Sequence, residues 1–148
     1  MRRIERALDA QNAAFGGDAW HGAPLEEILG GVSDPTARPF AGAHSIAEIV
    51  AHITAVIDLV RRRLCGEDAD VEQWPDVSSV SWPEALDRLG AAQNKLQSAI
   101  ARLVPDDLDR TVVGKSYTVE HMLDGLLQHH AYHAGQIALI NKWVNCAR

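Results

Sequence analysis

The chain has little that would place it on nucleic acid, in a membrane or in an oxidising compartment. Its two cysteines, Cys65 and Cys146, form no motif, and nothing about them points to a disulfide framework. Bases number 14 against 20 acids, for a net charge of −6. A protein that neutralises phosphates needs a basic footprint, so no nucleic-acid partner is expected. No segment reaches the roughly 20 apolar residues that span a bilayer, and no membrane association is expected. The opening Met1-Arg2-Arg3-Ile4-Glu5-Arg6 is basic, but no apolar signal core follows it, which leads us to expect a cytoplasmic address. Aromatic residues make up only 5% of the chain. What remains is 148 residues, 47% hydrophobic and 23% charged. That suits a single domain over 1–148 that buries a core without disulfides or a structural metal. The excess is in histidine: there are seven, four of them between His121 and His133.

Four helical stretches account for the pattern, and no strand pattern competes. The first runs from about Arg3 to Phe15, with Ile4, Leu8, Gln11 and Phe15 on one stripe, and Gly16-Gly17 ends it. A long connection follows. It holds Trp20, His21 and Gly22, a short apolar turn from Leu25 to Leu29, and then Gly30-Gly31, Pro35, Pro39 and Gly42. Long loops punctuated in this way are often functional. Ser45-Ile46-Ala47-Glu48 reads as a capping box opening the second helix. From there Ile46, Ile49, Val50, Ile53, Val56, Ile57, Val60 and Leu64 recur at helical spacing, up to Gly66. A second long, acidic loop covers 67–79. Ser81-Trp82-Pro83-Glu84 repeats the start signal, with proline in the first turn where its missing N–H is not needed. The seam Trp82, Leu86, Leu89, Gln93, Leu96, Ile100 and Leu103 follows, and Pro105 stops it. The last helix runs from near Thr118 toward Trp143, with Met122, Leu126, His129, His133, Ile137 and Ile140 as its core stripe. The expected fold is all-α: a four-helix bundle with long crossover loops.

His129 and His133, four apart, share one helix face and lie about 5–6 Å apart at Cβ. That spacing lets two imidazoles aim at one ion. Both sit in the apolar stripe, where an unpaired polar group costs roughly 1–3 kcal/mol. On the second helix His52 also faces inward, between Ile49 and Val56. A catalytic zinc-type site takes about three protein ligands and keeps a position open, and these three histidines supply such a set. The alternative is that they are hydrogen-bonded core residues. All-imidazole ligation suits Zn, Ni, Fe or Cu. His130 stands where a zincin helix carries its catalytic glutamate, so that general base is missing. His44, His121 and His130 are expected in structural or surface roles. Glu48, Tyr132, Gln93 and Gln11 are candidate assisting groups, although the capping box already engages Glu48 and seam position alone accounts for the two glutamines. Trp20 reads as a plug over an open bundle end. His21 could join the site from its loop. Neither cysteine is placed to be a nucleophile.

Ser45-Ile46-Ala47-Glu48-Ile49-Val50-Ala51-His52-Ile53, together with His129-His130-Ala131-Tyr132-His133-Ala134-Gly135-Gln136-Ile137, resembles the DinB/YfiT-like superfamily. The stretch Trp20-His21-Gly22, Leu25, Leu29, Pro39-Phe40 and His44-Ser45 resembles the segment before it. The resemblance covers nearly the whole chain, and its most specific part is the segment from His129 to Gln136. It implies a four-helix bundle holding a divalent metal on His52, His129 and His133, in agreement with the inward triplet. It also implies that Gln136 orients a ligand or a bound water. Zn or Ni are the leading metals, followed by Fe or Mn. Some relatives are thiol transferases or isomerases that use a low-molecular-weight thiol, and many others are assigned as metal-dependent hydrolases of unknown substrate. Relatives of this length are often homodimers. The implied partner is a small-molecule substrate, with a thiol as possible cosubstrate. The competing reading is a non-enzymatic binding or stress-response module with a structural metal. That site would be closed by four protein ligands, the fourth drawn from a residue such as His21 or Gln136.

Overall fold

The computed structural model describes residues 2–146. Its helices are α1 (Arg2–Gly16), α2 (Leu25–Gly30), α3 (Ile46–Leu64), α4 (Trp82–Ile100) and α5 (Val119–Cys146), with a 3-10 turn at Pro105–Asp109 before α5. Among the described residues there is no strand; one isolated antiparallel bridge, Thr111 to Thr118, closes the turn that leads into α5. The four long helices are those the periodicity predicts. The apolar turn at Leu25 to Leu29 is itself a helix, and it buries Leu25 and Leu29.

Local chemistry sets the boundaries. Ser45 Oγ accepts the Glu48 N–H at 3.2 Å, and Glu48 Oε2 accepts the Ser45 N–H at 2.6 Å. The box at the start of α3 is therefore complete in both directions. Arg38 adds a 2.9 Å contact to the same carboxylate oxygen. These hydrogen bonds, the Ser45 N–H foremost, hold the Glu48 carboxyl below its usual range. At α4 only half of the motif forms. Ser81 Oγ accepts the Glu84 N–H at 3.4 Å, while the Glu84 carboxylate pairs with Arg88 at 2.7 Å, one turn along the helix. Gly66, with φ +87°, ends α3 in the left-handed conformation that glycine tolerates best.

α3 packs on α4 and α5, and α1 packs on the same two helices. The diagonals are therefore α1 with α3 and α4 with α5. The α1-to-α3 connection, the first of the two long loops, crosses the bundle diagonally as expected; the second, 67–79, joins the adjacent α3 and α4, and the other diagonal crossing is made by the α4-to-α5 connection. α2 fills the corner between α1 and α5. The core is one contiguous cluster running from Ile4 on α1 to Ile140 on α5, and each fully buried aliphatic side chain contributes about 1.5–3 kcal/mol. No helix among the described residues is long and apolar enough to cross a membrane.

α5 meets α1, α2, α3 and the 3-10 turn. Its buried surface is correspondingly wide. Besides Met122, Leu126, His133, Ile137 and Ile140, it buries Leu123, His130 and Ala134. This corrects one expectation in part: of the structural and surface roles expected of His130, its 1% exposure leaves the structural one alone, as a core residue. Trp20 is a second correction, because it is fully exposed and covers nothing.

The acidic loop after α3 is tied down at its start. Arg63, buried near the end of α3, donates from Nε and Nη2 to the Ala69 carbonyl at 3.2 and 2.9 Å, and from Nη1 to the Tyr117 hydroxyl at 3.0 Å. Arg62 holds Glu67 at 2.8 Å. From this anchorage the chain turns back along α3 toward His52.

Candidate metal centre

One ring nitrogen each from His52, His129 and His133 lies within 4.8 Å of the other two. α3 supplies the first and α5 the other two, separated by one helical turn. The Nε2 atoms of His52 and His129 face each other at 2.9 Å. His52 and His133 are buried, and His129 is half-buried.

The opposite ring nitrogens show how the imidazoles are aimed. His52 Nδ1 lies 2.6 Å from the Gln73 main-chain carbonyl, which can only accept, so the proton sits on Nδ1. His133 Nδ1 lies 2.6 Å from Gln136 Oε1. His52 Nε2 is left with a lone pair on the side of His129, and His133 Nε2 is likewise left with one when Gln136 presents its oxygen to Nδ1. Metal-binding histidines are held in this way, by an acceptor on the far nitrogen that fixes tautomer and orientation. His129 departs from the pattern: its Nδ1 is buried with no partner within the protein.

The electrostatics favour neutral rings, which is the form that binds a metal. Burial, then the neighbouring His133 and His52, pushes His129 down to about 3. Burial also lowers His133, and the Gln136 hydrogen bond opposes part of that shift. His130 is pushed down to about 4, again by burial first.

A tryptophan from the acidic loop locks the third ligand. Trp74 stacks on His52 with ring centroids 4.2 Å apart and 13° between planes. Its other face stacks on His44 at 3.5 Å and 3°. His52 is thus clamped by two consecutive loop residues, a carbonyl at its edge and an indole on its face. Neither contact is visible in the sequence. The loop has no period, and a backbone carbonyl carries no residue signature. His44, expected in a structural or surface role, forms the outer layer of the stack.

Beside the triplet lies a cavity of about 670 Å³, within the range of small-molecule sites. His133 and Gln136 form its polar edge, and Ile49, Trp74, Leu139 and Trp143 are among its apolar walls. Gln136 therefore touches both a ligand histidine and the cavity. Tyr132, the residue before His133, lines it too and accepts a hydrogen bond from Gln136 Nε2 at 3.2 Å.

The remaining candidates lie elsewhere. His21 is exposed in the first loop and is neither in the triplet nor along this cavity. Glu48 is held by Ser45 and Arg38. Gln11 is buried and donates to the Leu123 carbonyl at 2.8 Å. Gln93 is buried in α4 with both amide atoms unpartnered within the protein. Cys65 and Cys146 are free and exposed.

A family model for the DinB superfamily matches residues 23–137. No curated protein matches the chain, and no solved structure does. The matched stretch is most of the chain and contains all three histidines, Trp74 and Gln136, so the chain belongs to the DinB superfamily.

Proposed function

We propose that this protein binds a divalent metal ion on His52, His129 and His133 and is a metal-dependent enzyme acting on a small molecule. The observation that carries the reading is the pairing of the triplet with an adjacent cavity. Three imidazoles converge, two of them have their far nitrogens fixed by acceptors, and His133 belongs to both triplet and cavity wall. Three protein ligands leave room for a fourth from substrate or solvent, the arrangement of catalytic rather than structural sites. All-imidazole ligation suits Zn or Ni first, then Fe, and the superfamily adds Mn as a further candidate. When bound, such an ion supplies Lewis acidity that activates water or a thiol as nucleophile. Either a thiol-dependent S-transferase or a hydrolase fits. Gln136 orients His133 and presents its amide to the cavity, which makes it the residue that positions a bound cosubstrate.

The second reading is a structural metal in a non-enzymatic binding module. It needs a fourth protein ligand, and His21 lies away from the triplet. Metal analysis of natively purified protein, followed by the same on His52→Ala, tests the proposal. The expected result is one divalent ion per chain, lost in the variant. Metal-free native protein, or unchanged content in His52→Ala, would overturn it. Spectroscopy of a cobalt-substituted protein then separates the two readings by showing three or four protein ligands. A homodimer in the cytoplasm belongs to the same proposal; sedimentation at the chain mass of 16.1 kDa would remove the dimer.

A further inference from the structure

We infer that the cavity beside the triplet takes a largely apolar molecule carrying a hydrogen-bond acceptor, and that the Tyr132 hydroxyl donates to that acceptor. The inference rests on the metal reading, because that reading fixes the protons of the chain of contacts. If His133 Nε2 faces an ion, its proton must be on Nδ1. The Gln136 atom 2.6 Å away is then the acceptor Oε1, so the other end of the amide is NH2. That NH2 donates to Tyr132 at 3.2 Å, which occupies an acceptor site of the phenol oxygen. The hydroxyl proton of Tyr132 is directed away from Gln136. Tyr132 is 63% exposed and lines the cavity, so its proton is available to a molecule held there. Without an ion, the opposite amide orientation would satisfy the same distances and turn the phenol into a donor to Gln136.

The rest of the cavity defines the remainder of the ligand. Among the described residues that line it, none is Lys, Arg, Asp or Glu. Under the metal reading the only charge beside the cavity is the ion at the triplet, so the walls away from it favour an uncharged body. Phe40, Leu139 and Trp143 stay largely exposed around it, and their burial would favour an apolar or aromatic body.

The test uses metal-loaded protein and ligand-observed NMR titration with two probes, acetophenone and ethylbenzene. Ethylbenzene lacks the acceptor. Tyr132→Phe keeps the ring at an exposed position. It is expected to weaken acetophenone binding about five-fold, the scale of one net hydrogen bond, and to leave ethylbenzene within about two-fold. Equal loss for both probes, or no loss for acetophenone, would overturn the inference. Metal content is read on the same samples. Failure of the probe pattern with stoichiometric metal present removes this inference alone; absence of metal removes it together with the metal reading.

Discussion

Two loop segments of this chain each carry a tryptophan, and they behave in opposite ways. Around Trp20 the chain is exposed, and the indole touches neither the bundle end nor the site. Around Trp74 the chain is fastened at two levels: Arg62 and Arg63 hold its start, and the indole lies between His44 and His52. The first segment opens a long, glycine- and proline-rich loop, the kind of sequence that usually attracts a functional reading. The second lies in an acidic stretch with no motif. What distinguishes them is where the chain is led. A loop residue acquires a role when buried groups such as the Arg63 guanidinium direct the backbone past a site, and residue type alone does not report that path.

The comparison can be broken or sharpened by experiment. The largest effect is expected from Trp74→Ala, which removes the stack on His52 and releases the neighbouring Gln73 carbonyl. Metal affinity should fall about 10- to 100-fold, as it does when the groups that orient a ligand are lost. Competition with a chromophoric chelator measures this; affinity within two-fold of the parent would show that the clamp does not matter. Gln136→Leu comes next, with about a ten-fold loss, because His133 keeps its packing but loses its acceptor. If Gln136→Leu exceeded Trp74→Ala, the weight of the site would lie on α5 and not on the loop.

Acidification is expected to act on the histidine-bearing core before it acts on either loop. His129 and His130 are held neutral in the folded chain, near 3 and 4, whereas in the unfolded chain they titrate near 6.5. The unfolded state therefore binds more protons below 6.5, and stability falls as pH drops from there toward 4. It is fully present above 6.5. Urea midpoints of metal-free protein should be lower at pH 5 than at pH 7.5; equal midpoints would contradict the burial assigned to these rings. The smallest effect is expected from Trp20→Ala. As a fully exposed side chain without contacts, it should change stability by no more than about 0.5 kcal/mol and leave metal affinity unaltered. A measurable loss in either would mean that Trp20 has a partner in solution.

Much of the fold was legible because it is written in local chemistry: Ser45 with Glu48, Ser81 with Pro83, and apolar residues at helical spacing. The triplet was legible for the same reason. His52, His129 and His133 sit in apolar stripes, and a polar residue in a stripe is conspicuous. His130 was not legible, because a stripe drawn for one neighbour underestimates a helix that meets α1, α2 and α3 together. Glu84 was read correctly as a position but not as a partner, since Arg88 lay within reach one turn on. Trp74, His44 and the Gln73 carbonyl depended on the course of a loop, for which sequence spacing holds no information.

That one arm of the clamp on His52 is a main-chain carbonyl has an evolutionary corollary. Residue 73 can drift through almost any side chain without disturbing the hydrogen bond, so a substitution scan would pass over it as neutral. The number of residues between Gly66 and Trp74 has no such freedom. Inserting or deleting one would move a different carbonyl into place or none at all. In this part of the molecule the heritable constraint falls on length rather than on identity.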